Sequence, residues 1–343
     1  MPIARHSLSL ASAIALALSN QAPAHAAPVS VSVMTYNVHG LPWPIATGRE
    51  AAFAQIENRL LGLRKSGHQP HVVVLQEAFT DAAKAIGAKS GYRYIVNGPS
   101  RELAGASIAT ERDKLFAAAG SFLHGETQGK WLDSGLQILS DYPILSVRRM
   151  AFPTFACAGF DCLANKGAML VTIAVPGSRV PIQIATTHMN SKRASGVDTD
   201  RSYYAYRRQA DAIIGFLSVN RNPRAPIVFA GDFNASSERR RAYLTAYGTS
   251  ALPTAGGLVS SALHECLLTT RPCGASVPSI ANYIQHRSRD WQFYADGLRG
   301  QIDAVGIAVP FGQEKQGGML SDHAGYEIVY RLKQTRALPA LGA

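Results

Sequence analysis

Residues 227–234 read Ile-Val-Phe-Ala-Gly-Asp-Phe-Asn. The first four make a continuous apolar run of strand length, and the chain then delivers Gly231-Asp232-Phe233-Asn234 directly at its end. A carboxylate placed against a buried strand is costly unless it is paired or binds something. The same pattern recurs along the chain. A β-branched and aromatic run through Val31, Val33 and Tyr36 ends on Asn37, Val72–Leu75 delivers Gln76-Glu77, and Ile182–Thr186 is followed by His188 and Asn190. Ile302–Val309 begins beside Asp303, and Tyr326–Tyr330 follows Ser321-Asp322-His323. Further strands read at Leu136–Leu139 and Ala168–Val175. Helices are expected where Phe53, Ile56, Leu60 and Leu63 recur at three and four, and around Tyr203–Leu217. Strands outnumber helices and their polar ends collect, which is how a two-sheet α/β sandwich with helices on its outer faces builds a cleft at one edge.

The 343 residues are 47% hydrophobic and 17% charged with a mean hydropathy near zero, which excludes a disordered polar chain and a polytopic membrane protein. Arg5 and His6 precede an apolar run, Leu8–Leu18, and Ala24-His25-Ala26 supplies a small-x-small cleavage pattern, so residues 1–26 read as a signal peptide. Pro and Gly are spread evenly, so residues 27–333 are expected to form one domain, with 334–343 as a tail. Export makes the compartment secreted or periplasmic and oxidising. Of the three pairings open to four cysteines, Cys157 with Cys162 and Cys266 with Cys273 is favoured because each spacing closes a local turn. The formal charge of +11 suits an anionic partner, either phospholipid headgroups or nucleic acid, without choosing between them. Arg207-Arg208 and Arg239-Arg240-Arg241 fall in predicted helices, where a solvated face is the common explanation.

Glu77, Asn37 and Asp322 are hard oxygen donors of the kind that suit Mg²⁺, or another divalent cation such as Mn²⁺ or Co²⁺. His188 and His323 suit proton transfer near neutral pH. Taken singly, a strand-terminal Glu, an Asp-His dipeptide or a His after an apolar run is more commonly structural. As an ordered set they are specific. Met34-Thr35-Tyr36-Asn37, Leu75-Gln76-Glu77, Thr187-His188-Met189-Asn190, Gly231-Asp232-Phe233-Asn234, Ile302-Asp303 and Ser321-Asp322-His323 resemble, in order, the endonuclease/exonuclease/phosphatase superfamily of DNase-I-like fold. That resemblance implies a four-layered α/β sandwich, two mixed β-sheets flanked by helices, hydrolysing phosphate esters with a divalent cation. It implies Glu77 as principal metal ligand with Asn37 and Asp322 near it, His323 as the base with Asp303 orienting it, His188 at the phosphate or leaving group, and Asp232 and Asn234 positioning water or phosphate.

A narrower similarity covers Ser134–Ser140, Tyr142-Pro143-Ile144 and Phe155–Gly167, where Asp161 and Lys166 keep the spacing found in neutral and bacterial sphingomyelinases. It implies a phosphodiesterase releasing phosphocholine from sphingomyelin, with Lys166 and Asp161 on the substrate side; Asn190 is also expected at the substrate, and the protein is expected to act as a monomer. The alternatives are a secreted nuclease, favoured by the basic charge, an inositol-phosphate phosphatase, which export disfavours, and a catalytically silent binding protein of the same fold, which should have lost acids or histidines that are all retained here. Trp43, in Leu41-Pro42-Trp43-Pro44-Ile45, either enters a membrane interface or packs beneath the cleft. The stretch 280–294 carries Tyr283, Trp291, Phe293 and Tyr294 but also Arg287, Arg289 and Asp290, and so does not read as a hydrophobic hairpin.

Overall fold

The computed structural model describes residues 29–107, 110–251, 260–267, 273, 289–312, 314 and 318–334. The expected leader, the tail beyond Gln334 and most of the 280–294 stretch lie outside the described residues. The strands, in chain order, are β1 (Val29–Asn37), β2 (Val72–Gln76), β3 (Tyr94–Asn97), β4 (Gln137–Ser140), β5 (Ile144–Ala151), β6 (Gly167–Ile173), β7 (Ile182–His188), β8 (Ile227–Asp232), β9 (Ser260–Ser261), β10 (Asp290–Ala295), β11 (Gly300–Phe311) and β12 (Gly325–Gln334). The helices are α1 (Glu50–Lys65), α2 (Asp81–Lys84), α3 (Ile86–Lys89), α4 (Glu111–Ala118), α5 (Lys192–Ser195), α6 (Thr199–Asn220), α7 (Glu238–Ala251) and α8 (Ala262–Leu267). One sheet has the order β11-β12-β1-β2-β4-β3 and the other β5-β6-β7-β8-β10-β9. Each mixes parallel and antiparallel neighbours: β1 with β2 and β7 with β8 are parallel, the rest antiparallel.

Side-chain alternation divides the interior into three layers of apolar packing. Val31 and Val33 of β1, Val72 and Val74 of β2, Ile182 and Ile184 of β7 and Val228 and Ala230 of β8 fill the space between the sheets. The alternate residues Met34, Tyr36, Val73 and Leu75 pack outward against Phe53, Ile56 and Leu60, the spaced stripe of α1. On the far side, Leu170, Ala185 and Phe229 meet Tyr206, Ile213 and Leu217 of α6. Each fully buried side chain of this size contributes roughly 1.5–3 kcal/mol. The four-layered sandwich is therefore present, and its apolar strands coincide with the runs read from the sequence. β5 escaped that reading because Arg148 and Arg149 interrupt its pattern and most of it is not buried.

Following the inward parity to the strand ends locates the cleft. Asn37 continues the Val31–Val33 face of β1, Gln76 the Val72–Val74 face of β2, His188 the face of β7 and Asp232 that of β8. At this one edge the inter-sheet layer changes from apolar to polar. β10 and β12 run antiparallel to their neighbours, so their first residues reach the same edge: Asp290 lies opposite Asp232, and His323 stands just ahead of β12. Both disulfides expected from spacing are formed, Cys157–Cys162 and Cys266–Cys273.

Candidate active site

Among the described residues, three other than glycine hold left-handed backbone conformations, His39 (φ 51°), Glu77 (φ 56°) and Asn234 (φ 48°), and all three lie at this edge. Each follows a strand end closely, so the unusual φ turns a side chain back toward the inter-sheet space. Gly231 shows why the strands approach so closely there: a Cβ at this position would lie 2.3 Å from the Thr187 carbonyl oxygen.

Asn37 is the hinge between the two sheets. Its Nδ2 donates to Glu77 Oε1 (2.9 Å) and to Asp232 Oδ2 (3.1 Å), while its Oδ1 accepts the His39 N–H (3.0 Å). Asp232 Oδ1 accepts the Asn234 N–H (2.9 Å), and Asn234 Nδ2 donates to the Met189 carbonyl (2.9 Å). The ligand atoms of Glu77, His188 and Asp232 fall within 4.8 Å of one another, as do those of Asp232, Asp290 and His323, a spacing that suits a metal ion. Glu77 Oε2 has no hydrogen-bond partner among the described residues. Burial raises the Glu77 pKa, whereas that of Asp232, which burial also pushes upward, is held low mainly by the charge of His323. Two nearly adjacent carboxylates with an unused buried oxygen fit a hard divalent cation. His188 is a poorer donor to it, because its Nε2 is already 3.1 Å from the Lys166 ammonium.

His323 hydrogen-bonds through Nδ1 to Asp290 Oδ2 (2.6 Å), and its Nε2 is 3.9 Å from Asp232 Oδ2. Burial would lower its pKa, but the Asp290 charge and hydrogen bond, with Asp232 and Asp322, outweigh burial and raise it to about 10. His188 is the opposite case. Burial, and then the neighbouring Lys166 cation, bring it down to about 3, so it is neutral at any ordinary pH. Lys166 also pairs with Asp161 Oδ1 (2.6 Å) and donates to the Met189 carbonyl (3.3 Å), and Asp161 Oδ2 accepts the Ser191 N–H. Lys166, Asp161, His188, Glu77, Asp232, Asn234, Asp322 and His323 all border a cleft of about 780 Å³ whose remaining wall includes Leu41, Phe79, Leu132, Leu163 and Ala164.

Three sequence expectations are corrected. Asp303 does not orient His323: it sits half-exposed on β11 and pairs with Lys333 (2.6 Å), because β11 runs antiparallel to β12 and Asp303, opposite Arg331, therefore lies at the end of the sheet away from His323. The orienting carboxylate is Asp290, at the first position of β10, where it had read only as a charge spoiling an aromatic stretch. Asn190 is fully buried and spent on the scaffold, accepting from the Ala158 N–H and donating to the Ser191 carbonyl and Ser202 Oγ, so it does not reach the cleft. Asp322 pairs with His39 Nδ1 (3.0 Å) at the cleft margin and is not among the clustered metal-donor groups. Burial, which would raise its pKa, is outweighed by that hydrogen bond and by the charge of His323, so it stays well below the usual carboxylate range. The arginine run also departs from expectation. Arg240 is 3% exposed and donates to the Asn190 and Asn234 carbonyls (2.7 and 3.1 Å) and to Ser202 Oγ (2.8 Å). Trp43 stands exposed at the margin and does not pack beneath the cleft.

A two-sheet sandwich that brings paired carboxylates, an Asp-oriented histidine and a buried lysine to one edge carries the groups that hydrolysis of a phosphate ester needs. Residues 34–323 match the Endonuclease/Exonuclease/phosphatase family, and the chain belongs to that family of phosphodiesterase-type hydrolases. Sphingomyelinase C from Streptomyces griseocarneus is similar in structure, with 21% identity, a TM-score of 0.58, and coverage of 88% of this chain and 99% of that one. A doubly substituted beta toxin from Staphylococcus aureus with bound magnesium ions is also similar (18% identity, TM-score 0.57, 88% and 99% covered). So is the TDP2 of D. rerio complexed with a single-strand DNA product (17% identity, TM-score 0.54, 88% and 98% covered). These likenesses establish the fold. No curated protein matches the chain by sequence.

Proposed function

We propose that the protein is a secreted, divalent-metal-dependent phosphodiesterase of the sphingomyelinase C type, hydrolysing sphingomyelin to ceramide and phosphocholine. The observation that carries this reading is the amphipathic cleft: a floor of Glu77, Asp232, His188, His323 and Lys166 under walls of Leu41, Phe79, Leu132 and Leu163. A substrate that is part phosphate and part hydrocarbon matches both halves of it.

His323, oriented by Asp290, takes the proton of the attacking water at Nε2. The water oxygen bonds to phosphorus as the ester bond to the lipid alkoxide breaks; the alkoxide takes a proton from solvent to become the ceramide hydroxyl, and His323 returns the proton it accepted to solvent. Asp232 and Asn234 hold the reacting groups in register across the sheet edge, and the Lys166 ammonium offsets phosphoryl charge. Glu77 and Asp232 would hold a divalent cation, Mg²⁺ being the expected ion, which would supply electrophilic charge at the phosphate and offset the Asp232 charge that favours protonated His323. The His188 imidazole, neutral beside Lys166, contacts phosphate or leaving oxygen without adding charge.

The nuclease alternative rests on the +11 charge. Sphingomyelin vesicles and supercoiled plasmid, assayed in parallel with Mg²⁺ and with EDTA, separate the two. Metal-dependent phosphocholine release supports the proposal, and plasmid nicking without phosphocholine release replaces it.

A further inference from the structure

Large apolar side chains are scattered singly over most protein surfaces, and a cluster of them marks a contact. Here they gather where the cleft opens. Trp43 is 80% exposed and Ile45 64%, both on the loop that follows β1; Trp131 is 59% exposed and Phe160 46%. Trp131 and Phe160 belong to one structural unit, since the Trp131 N–H donates to the Leu163 carbonyl (2.7 Å) in the turn that Phe160 begins to wind. His124 lies edge-on to Phe160 at 5.9 Å, and the two residues that precede it in the chain, Phe122 (65%) and Leu123 (83%), are exposed as well.

We propose that this rim docks the enzyme on the surface of a zwitterionic phospholipid bilayer, with Trp43, Ile45 and Leu123 entering the headgroup boundary. The inference rests on the lipid reading of the cleft and adds the surface by which the substrate is reached while still in its membrane. Tryptophan favours that boundary, and the aliphatic members gain free energy only by leaving water. Arg193, exposed and lining the same opening, faces the phosphates of the neighbouring lipids. A platform for unpaired nucleobases would need flat aromatic or guanidinium faces throughout, and Ile45 and Leu123 offer none. No helix among the described residues is long and apolar enough to cross a membrane.

The protein holds three tryptophans, of which Trp291 packs against the core, leaving Trp43 and Trp131 as reporters at the rim. The full-length protein is mixed, in EDTA so that nothing is hydrolysed, with vesicles of phosphatidylcholine and sphingomyelin carrying acyl-brominated phosphatidylcholine. Quenching and a blue shift of tryptophan emission, with sedimentation of the protein on the vesicles, are expected. The Trp43→Ala/Leu123→Ser variant, its melting temperature unchanged, should bind vesicles at least ~10-fold more weakly, since two exposed apolar anchors are gone. Absence of quenching in the wild-type protein, or equal vesicle binding by the variant, overturns the proposal. Loss of oligothymidylate binding with vesicle binding intact overturns it in favour of nucleic acid. Hydrolysis of bis(p-nitrophenyl) phosphate by the wild-type protein is measured separately: its absence speaks against the phosphodiesterase reading and leaves the docking result standing.

Discussion

Asp290 and Asp303 are each a single carboxylate on a strand of the same molecule, yet only one meets an imidazole. Asp290 is buried against His323 at 2.6 Å, and Asp303 is half-exposed against Lys333. The Asp290→Asn variant should therefore lower kcat by at least ~10²-fold, as should His323→Ala, the usual scale for a lost or misoriented general base. Asp303→Asn should stay within about twofold of wild type, the expectation for a surface ion pair. Steady-state kinetics on phosphocholine release decides this contrast, and equal losses at both aspartates would return the orienting role to Asp303. The same contact predicts a pH signature in the metal-free protein. His323 has its folded-state pKa raised to about 10 from an ordinary 6.5, so its stabilising contribution is complete below the unfolded value and is lost as pH rises toward about 10. In EDTA, the melting-temperature gap between wild type and Asp290→Asn should be widest near pH 6 and narrow by pH 10. A gap that widens with pH contradicts the assignment.

At the level of elements, two devices hold the polar ends of β6, β7 and β8 in place. The Cys157–Cys162 disulfide closes the short turn that carries Asp161, and through it Lys166 and the Ser191 N–H. Replacing both cysteines with alanine should cost about 2 kcal/mol from loop closure. It should also raise KM more than it lowers kcat, because the Lys166 ammonium loses its fixed position; chemical denaturation and kinetics read the two effects. Arg240, on the first turn of α7, ties the loops after β7 and β8 by donating to the Asn190 and Asn234 carbonyls. Arg240→Met keeps much of the volume but leaves those buried acceptors unpaired, at about 1–3 kcal/mol. A melting temperature equal to wild type would show that the two carbonyls find other donors.

For the molecule as a whole, the consequential fact is that Glu77 comes from one sheet and Asp232 from the other, with Asn37 between them. Unfolding separates these carboxylates, so a cation that needs both binds only the folded protein and stabilises it by about 2.7 kcal/mol at a hundredfold excess over Kd. Millimolar Mg²⁺ should raise the melting temperature, EDTA should reverse the rise, and Glu77→Gln should abolish it. Asp322→Asn should keep it, since that side chain pairs with His39 at the margin. Scanning calorimetry reads all four, and a rise that survives in Glu77→Gln would move the cation elsewhere.

The sequence alone determined the apolar strands β1, β2, β4, β6, β7, β8, β11 and β12, because an apolar run must be buried and its alternation is local. It also determined that Asn37, Glu77, His188, Asp232 and His323 stand at strand ends, since position along a strand needs no knowledge of the partner. Glu77 and Asp232 were legible as candidates for the same reason. The tertiary structure decided which strand ends face one another. Asp290 meets His323 through an antiparallel register between β10 and β8 that no local pattern encodes, and Arg240 is buried because helix α7 turns one face of a basic run into the loops of the site. Periodicity reports which face of an element avoids water. It carries no information on which distant carboxylate or carbonyl that face will meet, because such pairing is a property of the packed sheets as a unit.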